Sequence, residues 1–323
     1  MHVKSMFVRL LIVAGLLFAS VAPAGAEVAV VLNSADETVS LIDTNTYTEI
    51  QRYPVGKEPH HLMATTDDSH LIVASALSNE LVMLDPVSGQ IIRRVPKISD
   101  PYQIAFSPDK KWFVANSLRL DRVDIYNAAD FSIAKRIPAP KAPSHLAFDR
   151  ASQYVFVTLQ DANQIMAIDL KTQSPAWTLP VGKTPAGIWM TPDDKYLLVG
   201  VMGSNYVEVI DWRARQSVKK IVTGDGAHNF QARGDGRQVF VSNRVDNSIA
   251  IVDQQTLTLV DKFPVPGGPD CMEVSRDGKQ LWVTSRFIRQ VQVVDLGTKK
   301  IVRSIAVGRS PHGVFFKTHA ARQ

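Results

Sequence analysis

The chain has a single cysteine, Cys271, so no intramolecular disulfide can brace it. It has no Cys-x-x-Cys-His stretch, which excludes covalent c-type haem. Beyond the N-terminus no apolar run approaches the ~20 residues that a bilayer span needs. No segment keeps a sustained helical period. The 36 basic residues outnumber the 31 acidic ones but are spread along the chain, so nothing points to a nucleic-acid partner. A phosphate-cradling glycine loop, a His-Glu-x-x-His pair and a Gly-x-Ser-x-Gly elbow are all missing. With 45% hydrophobic and 21% charged residues, the composition is that of a globular protein and not of a disordered one.

The N-terminus has the layout of a secretion signal. Lys4 and Arg9 precede an apolar run over residues 10–21, and Ala24-Gly25-Ala26 fits a small-x-small cleavage site. Removal of residues 1–26 leaves 34 basic against 31 acidic residues, a mild +3. The expectation is a chain located in the periplasm or secreted, with no membrane span after signal cleavage.

What the sequence has in abundance is periodicity. Pro59, Pro101, Pro143, Pro185, Pro269 and Pro311 are spaced by 42 residues, with Ala227 filling the missing step. Asp43, Asp85, Asp169, Asp211, Asp253 and Asp295 follow the same spacing, with Asn127 in the gap. Seven such repeats occupy nearly all of residues 27–323. Each holds four short runs rich in Val, Ile, Phe and Trp; near Gly267 they are residues 270–274, 280–285, 290–295 and 301–307. Turn residues such as Arg276-Asp277-Gly278 and Gly234-Asp235-Gly236 separate the first run from the second. Thr66-Asp67-Asp68-Ser69 falls at the same position, so turn chemistry explains its acids better than calcium does. Four strands per 42 residues predict an all-β seven-bladed β-propeller of four-stranded antiparallel blades. Residues 27–55 supply three strands and 312–317 a fourth, so the ring should close by joining the two termini in one blade.

The second runs read Phe113-Val114-Ala115-Asn116, Phe156-Val157-Thr158-Leu159, Phe240-Val241-Ser242-Asn243 and Trp282-Val283-Thr284-Ser285. With the Ile/Val-Asp, Val-Gly and Pro that follow, this resembles the exported YVTN/YncE-type seven-bladed β-propeller repeat family over all of residues 27–323. The resemblance implies the fold. Relatives include propellers that bind d1-type haem, companions of quinoprotein dehydrogenases and, more distantly, lactonase-type propellers.

In a propeller the residues after the repeat proline begin the innermost strand and should ring the channel mouth. They are His60-His61, Tyr102-Gln103, Ser144-His145, Ala186-Gly187, His228-Asn229, Asp270-Cys271 and His312-Gly313. Five of the chain's eight histidines fall in these fourteen positions, a concentration that a purely structural residue would not need. His60, His228, Asp270 and His312 are candidate ligands for a transition metal, with Cys271 as a soft addition. The same groups could instead serve a tetrapyrrole, a quinone or a small anion, or simply bond carbonyls at the rim. Arg244 and Arg286 follow Ser-Asn and Thr-Ser at matching repeat positions and would make the face positive, as would Arg119, Arg122 and Arg289 unless these are ordinary solvated charge. The paired glycines Gly267-Gly268 make the loop before Asp270 the most irregular of the set.

The expected function is that of an accessory or binding protein, with no catalytic role assigned, which takes a small ligand, cofactor or metal at this histidine-rich face. One alternative is an enzyme, either a metal-assisted lactonase-like hydrolase or an oxidoreductase with a channel cofactor such as d1-type haem or quinone. Another is a scaffold for a partner protein at the propeller face, which would show an exposed apolar patch.

Overall fold

In the computed structural model, which describes residues 27–322, twenty-eight strands form seven four-stranded antiparallel sheets. The expected signal, residues 1–26, lies outside the described residues. Six sheets are continuous in sequence, as in Pro59–Ala64, Leu71–Ser75, Glu80–Leu84 and Ile91–Pro96. In the seventh, Pro311–Phe316 joins Val28–Asn33, Thr38–Asp43 and Thr48–Pro54. This clasp pairs Ala29 with Phe316, Val30 with Phe315 and Val31 with Val314. Buried Asn33 locks it: Oδ1 accepts the Gly308 N–H at 2.9 Å, and Nδ2 donates to Ser40 Oγ at 2.8 Å.

The repeated acids are used up locally. Oδ1 of Asp43, Asp85 and Asp253 accepts the N–H groups two and three residues on, closing the turn between third and fourth strands. Asp67 and Asp277 do the same work in the turn after the innermost strand. The core lies between blades as seven apolar clusters, one at each blade boundary. Phe240, Ile249 and Ile251 of one blade, for example, pack on Met272, Val274, Leu281 and Val283 of the next. Each such side chain contributes about 1.5–3 kcal/mol on full burial, so the interfaces between sheets hold the ring together. The fourth strands, such as Ile91–Pro96, are largely exposed.

All seven innermost strands begin with the same irregularity. Pro59 pairs with Ser75, but the next pair is His61 with Ala74, so one step on the neighbouring strand faces both His60 and His61. The register slips likewise after Pro101, Pro143, Pro185, Ala227, Pro269 and Pro311. A bulge of this kind breaks the strict alternation of side chains, and both residues after the proline end up buried or half-buried around the axis. The freed N–H groups find partners. His145, Asn229 and Cys271 donate theirs to the hydroxyls of Thr158, Ser242 and Thr284 at 3.0, 3.1 and 3.0 Å. The Thr158 and Thr284 hydroxyls in turn donate to the Ala186 and His312 carbonyls of the next blade, both at 2.7 Å. One hydroxyl thus satisfies the bulge and staples two blades.

Neighbouring innermost strands pass close to one another at Gly187, where an added Cβ would lie 2.1 Å from the His228 carbonyl oxygen. That neighbour is backbone in a closed ring and has little room to retreat. Gly187→Ala should lower stability by about 1–3 kcal/mol, the usual range for overpacking. Urea denaturation of the two proteins measures it; equal midpoints would show that the ring can expand there.

Candidate functional site

The bulges carry the histidines further in than the mouth. His60, His61, His145, His228, Asp270, Cys271 and His312 are all buried, between 0% and 8% exposed, so they line the interior of the channel and not its rim. The sequence places these residues at the channel mouth; in the structure they sit deeper, and the bulge turns both residues of each pair inward instead of leaving one on each face.

The rings meet in a closed circuit. His228 lies edge-on to His145, with centroids 5.3 Å apart, and His145 lies edge-on to His61 at the same distance. His61 lies 4.8 Å from His312. His312 Nε2 is 3.6 Å from Asp270 Oδ2, and His228 Nδ1 is 3.2 Å from Asp270 Oδ1. His60 stacks between His312 and Tyr102, with centroids 3.9 Å from each. The His145–His228 contact spans the blade between them, where Ala186 and Gly187 have too little side chain to intervene.

Asp270 anchors the positive side. Arg244 bonds its Oδ2, and Arg286 Nη1 approaches the same oxygen at 3.4 Å. The other loop arginines go elsewhere. Arg119 pairs with Asp100 and Glu58, Arg122 with Asp124, and Arg289 is exposed. Gly267 and Gly268, with φ of +92° and +68°, make room for Ile288 and Phe287, whose side chains lie where their Cβ atoms would be. Phe287 and Val245 at the rim remain 69% and 68% exposed, the kind of feature that a scaffold would show.

Several polar atoms at the centre have no hydrogen-bond partner in the protein: Nε2 of His61, His145 and His312 and Nε of Arg244, while Nδ1 of His228 and Oδ1 of Asp270 face each other at 3.2 Å without hydrogen-bond geometry. Each buried orphan costs about 1–3 kcal/mol. The opposite ring nitrogens are partly used. His61 Nδ1 lies 2.6 Å from the Tyr102 carbonyl and 2.9 Å from His60 Nδ1, and His145 Nδ1 lies 2.7 Å from Ser144 Oγ. Ligand atoms of His60, His61 and His312 fall within 4.8 Å of one another, as do those of Asp270, Cys271 and His312. His312 belongs to both sets.

Burial holds the imidazoles of His60, His145 and His312 well below the usual histidine range and brings His61 down to about 4. Burial, reinforced by Arg244, also lowers His228. All five are therefore neutral near pH 7, the form that can ligate. Burial opposes the charge on Asp270, the Arg244 guanidinium is the largest influence on the other side, and the balance keeps the carboxyl well below its ordinary range. Burial pushes the Cys271 thiol up, and Asn229 Nδ2 donates to its sulfur at 3.2 Å. Tyr102 and Asn229 were not among the candidate residues, although they stand at the same repeat positions. Their tyrosine and amide chemistry carries no metal signature to mark them.

Replacing Asp270 by Asn keeps the shape and removes the charge that compensates Arg244 and Arg286. Breaking a buried ion pair from one side costs about 3–5 kcal/mol. Asp270→Asn should lose stability on that scale, read by thermal and chemical denaturation; a loss below about 1 kcal/mol would mean that solvent already screens the arginines.

The fold and its interior define a seven-bladed β-propeller with a histidine-lined channel. The chain belongs to the YNCE-like beta-propeller family, whose profile matches residues 6–322. No curated protein matches it. Among solved structures it is similar to a functionally unknown protein from Desulfotomaculum acetoxidans, with 16% identity, 92% of this chain and 100% of that one covered, and a TM-score of 0.77. A candidate 6-phosphogluconolactonase from Bacteroides uniformis shares 16% identity over 90% of this chain and 99% of its own, with a TM-score of 0.71. The dihydro-heme d1 dehydrogenase NirN, solved in complex with DHE, shares 16% over 89% of this chain and 74% of its own, with a TM-score of 0.67. At these identities the likeness concerns the fold alone.

Proposed function

We propose that the chain is an exported binding protein that holds a transition-metal ion inside the propeller channel, on His60, His61 and His312 with Asp270 and Cys271 adjacent. The observation that carries this reading is that His60, His61 and His312 each offer a ligand atom within 4.8 Å of the others, in a buried interior where Nε2 of His61 and of His312 has no hydrogen-bond partner. A metal ion would satisfy several orphans at once, and neutral histidines need release no proton to accept it. Imidazole with a thiol and one carboxylate suits copper or zinc better than magnesium or calcium. With the histidines neutral, Asp270, Arg244 and Arg286 together leave one net positive charge, which penalises a divalent ion more than a monovalent one. Copper(I) should therefore bind more tightly than zinc(II).

A tetrapyrrole or quinone fits this interior less well. His60 already fills the space between His312 and Tyr102, and a planar ring would have to separate stacks that are 3.9 Å apart. The likeness to a d1-haem dehydrogenase and to a candidate lactonase supports the fold and adds no site residue.

Metal analysis after loading the purified protein with copper(I) or zinc(II) and exhaustive dialysis tests the reading. About one ion per chain is expected. His312→Ala, which removes a member of both ligand sets, should weaken binding by roughly 100-fold or more, since even changes outside the ligands act on the 10–100-fold scale. Circular dichroism checks that the variant is folded. A wild type that retains no metal, or a His312→Ala protein that retains as much, would sink the proposal.

A further inference from the structure

The channel has a second end, where the innermost strands finish, and that end is covered on one side only. Residues after Phe316 cross it as a strap. The Ala320 N–H donates to the Val274 carbonyl at 3.1 Å, and Ser275 bridges to His319. On the other side, Pro101–Phe106, Pro143–Phe148 and Pro185–Met190 end half-buried around a cleft of about 400 Å³. Its walls are apolar and aromatic, with Phe106, Phe148, Trp189 and Met190 prominent, and Arg150 and Arg322 stand at its edge.

The two arginines are held in place and not saturated. Arg322 Nη2 bonds Glu273 Oε2 at 2.5 Å, and Glu273 is itself 2% exposed and shared with Gln231 at 3.2 Å. Arg150 gives one Nη2 bond to the Pro192 carbonyl. Each guanidinium has five N–H donors, so most remain free. The acid in the lining, Asp194, is already engaged by Arg213 at 2.8 Å and by the Arg150 backbone N–H at 2.9 Å. Arg213 thus pairs with Asp194 and Arg322 with Glu273, while Arg150 has no ion-pair partner among the described residues.

We propose that this cleft is a second binding site, separate from the histidine cluster, for an aromatic carboxylate: a flat apolar body against Phe106, Phe148 and Trp189, with its acid group on Arg322 and Arg150. The volume is within the range of small-molecule sites, and the pattern of apolar walls with a few convergent polar groups is theirs as well. Guanidinium matches a carboxylate bidentately, which sets the orientation of the ligand.

Calorimetric titration with 2-naphthoate, followed in parallel by tryptophan fluorescence, tests it. Saturable binding of one molecule per chain is expected. Arg322→Gln should weaken it about tenfold, the effect of one lost charge-assisted hydrogen bond. Met190→Glu places a carboxylate on the half-exposed wall and should abolish it. The neutral 2-naphthamide should bind about tenfold more weakly or worse, while His312→Ala should bind 2-naphthoate as the wild type does. The proposal is overturned by absence of saturable binding to the wild type, by unchanged binding to Met190→Glu, by equal affinity for the amide, or by loss of binding in His312→Ala.

Discussion

The bulge after the repeat proline sets the geometry of the whole channel. In a regular strand His60 and His61 would point to opposite faces, and one of them would enter the sheet interface. The extra residue lets both face the axis, and it does so blade after blade. Such a device needs the freed N–H groups to be satisfied, and the hydroxyls of Thr158, Ser242 and Thr284 satisfy them. In these three blades the threonine or serine of the second strand, which looks like a simple β-former, thus supports the polar interior.

The contrast between two sets of aspartates separates structure from function. Asp43, Asp85 and Asp253 each accept two backbone N–H groups, and their turns account for them. Asp270 breaks the pattern. It stands after the proline, is fully buried, draws in two arginines, and still has an oxygen without a hydrogen-bond partner. Buried polar groups are ordinarily satisfied. A ring of imidazoles that orphan several nitrogens around such a carboxylate is a poor way to stabilise a fold.

The two ends of the channel are chemically different because the ring closes asymmetrically. The strap that follows the clasp continues over the floor and buries Glu273, so half of the floor is sealed and half is left as an apolar cleft. At the opposite end, the glycines before Asp270 let Phe287 and Ile288 lie over the rim. One repeat thus presents a polar interior, an aromatic floor and a partly apolar rim along a single axis.

The sequence by itself determined the period, the blade count and the clasp, because period-two patterns and Asp/Gly turns are local. The second and third strands of the last repeat, Gln280–Ser285 and Gln290–Asp295, begin and end where the pattern places them, and the fourth, Lys300–Ala306, is displaced by one residue. It also brought His60, His61, His145, His228, Asp270, Cys271 and His312 to one level of the ring. Whether those side chains touch was decided only by tertiary structure. His145 reaches His228 across a blade because Ala186 and Gly187 are small there and because the bulges aim both rings inward. Arg244 and Arg286 turn toward Asp270, while Arg119 and Arg122 are captured by acids on their own side of the ring. Convergence at an axis sums small displacements from seven blades, and no local pattern in one repeat encodes that sum.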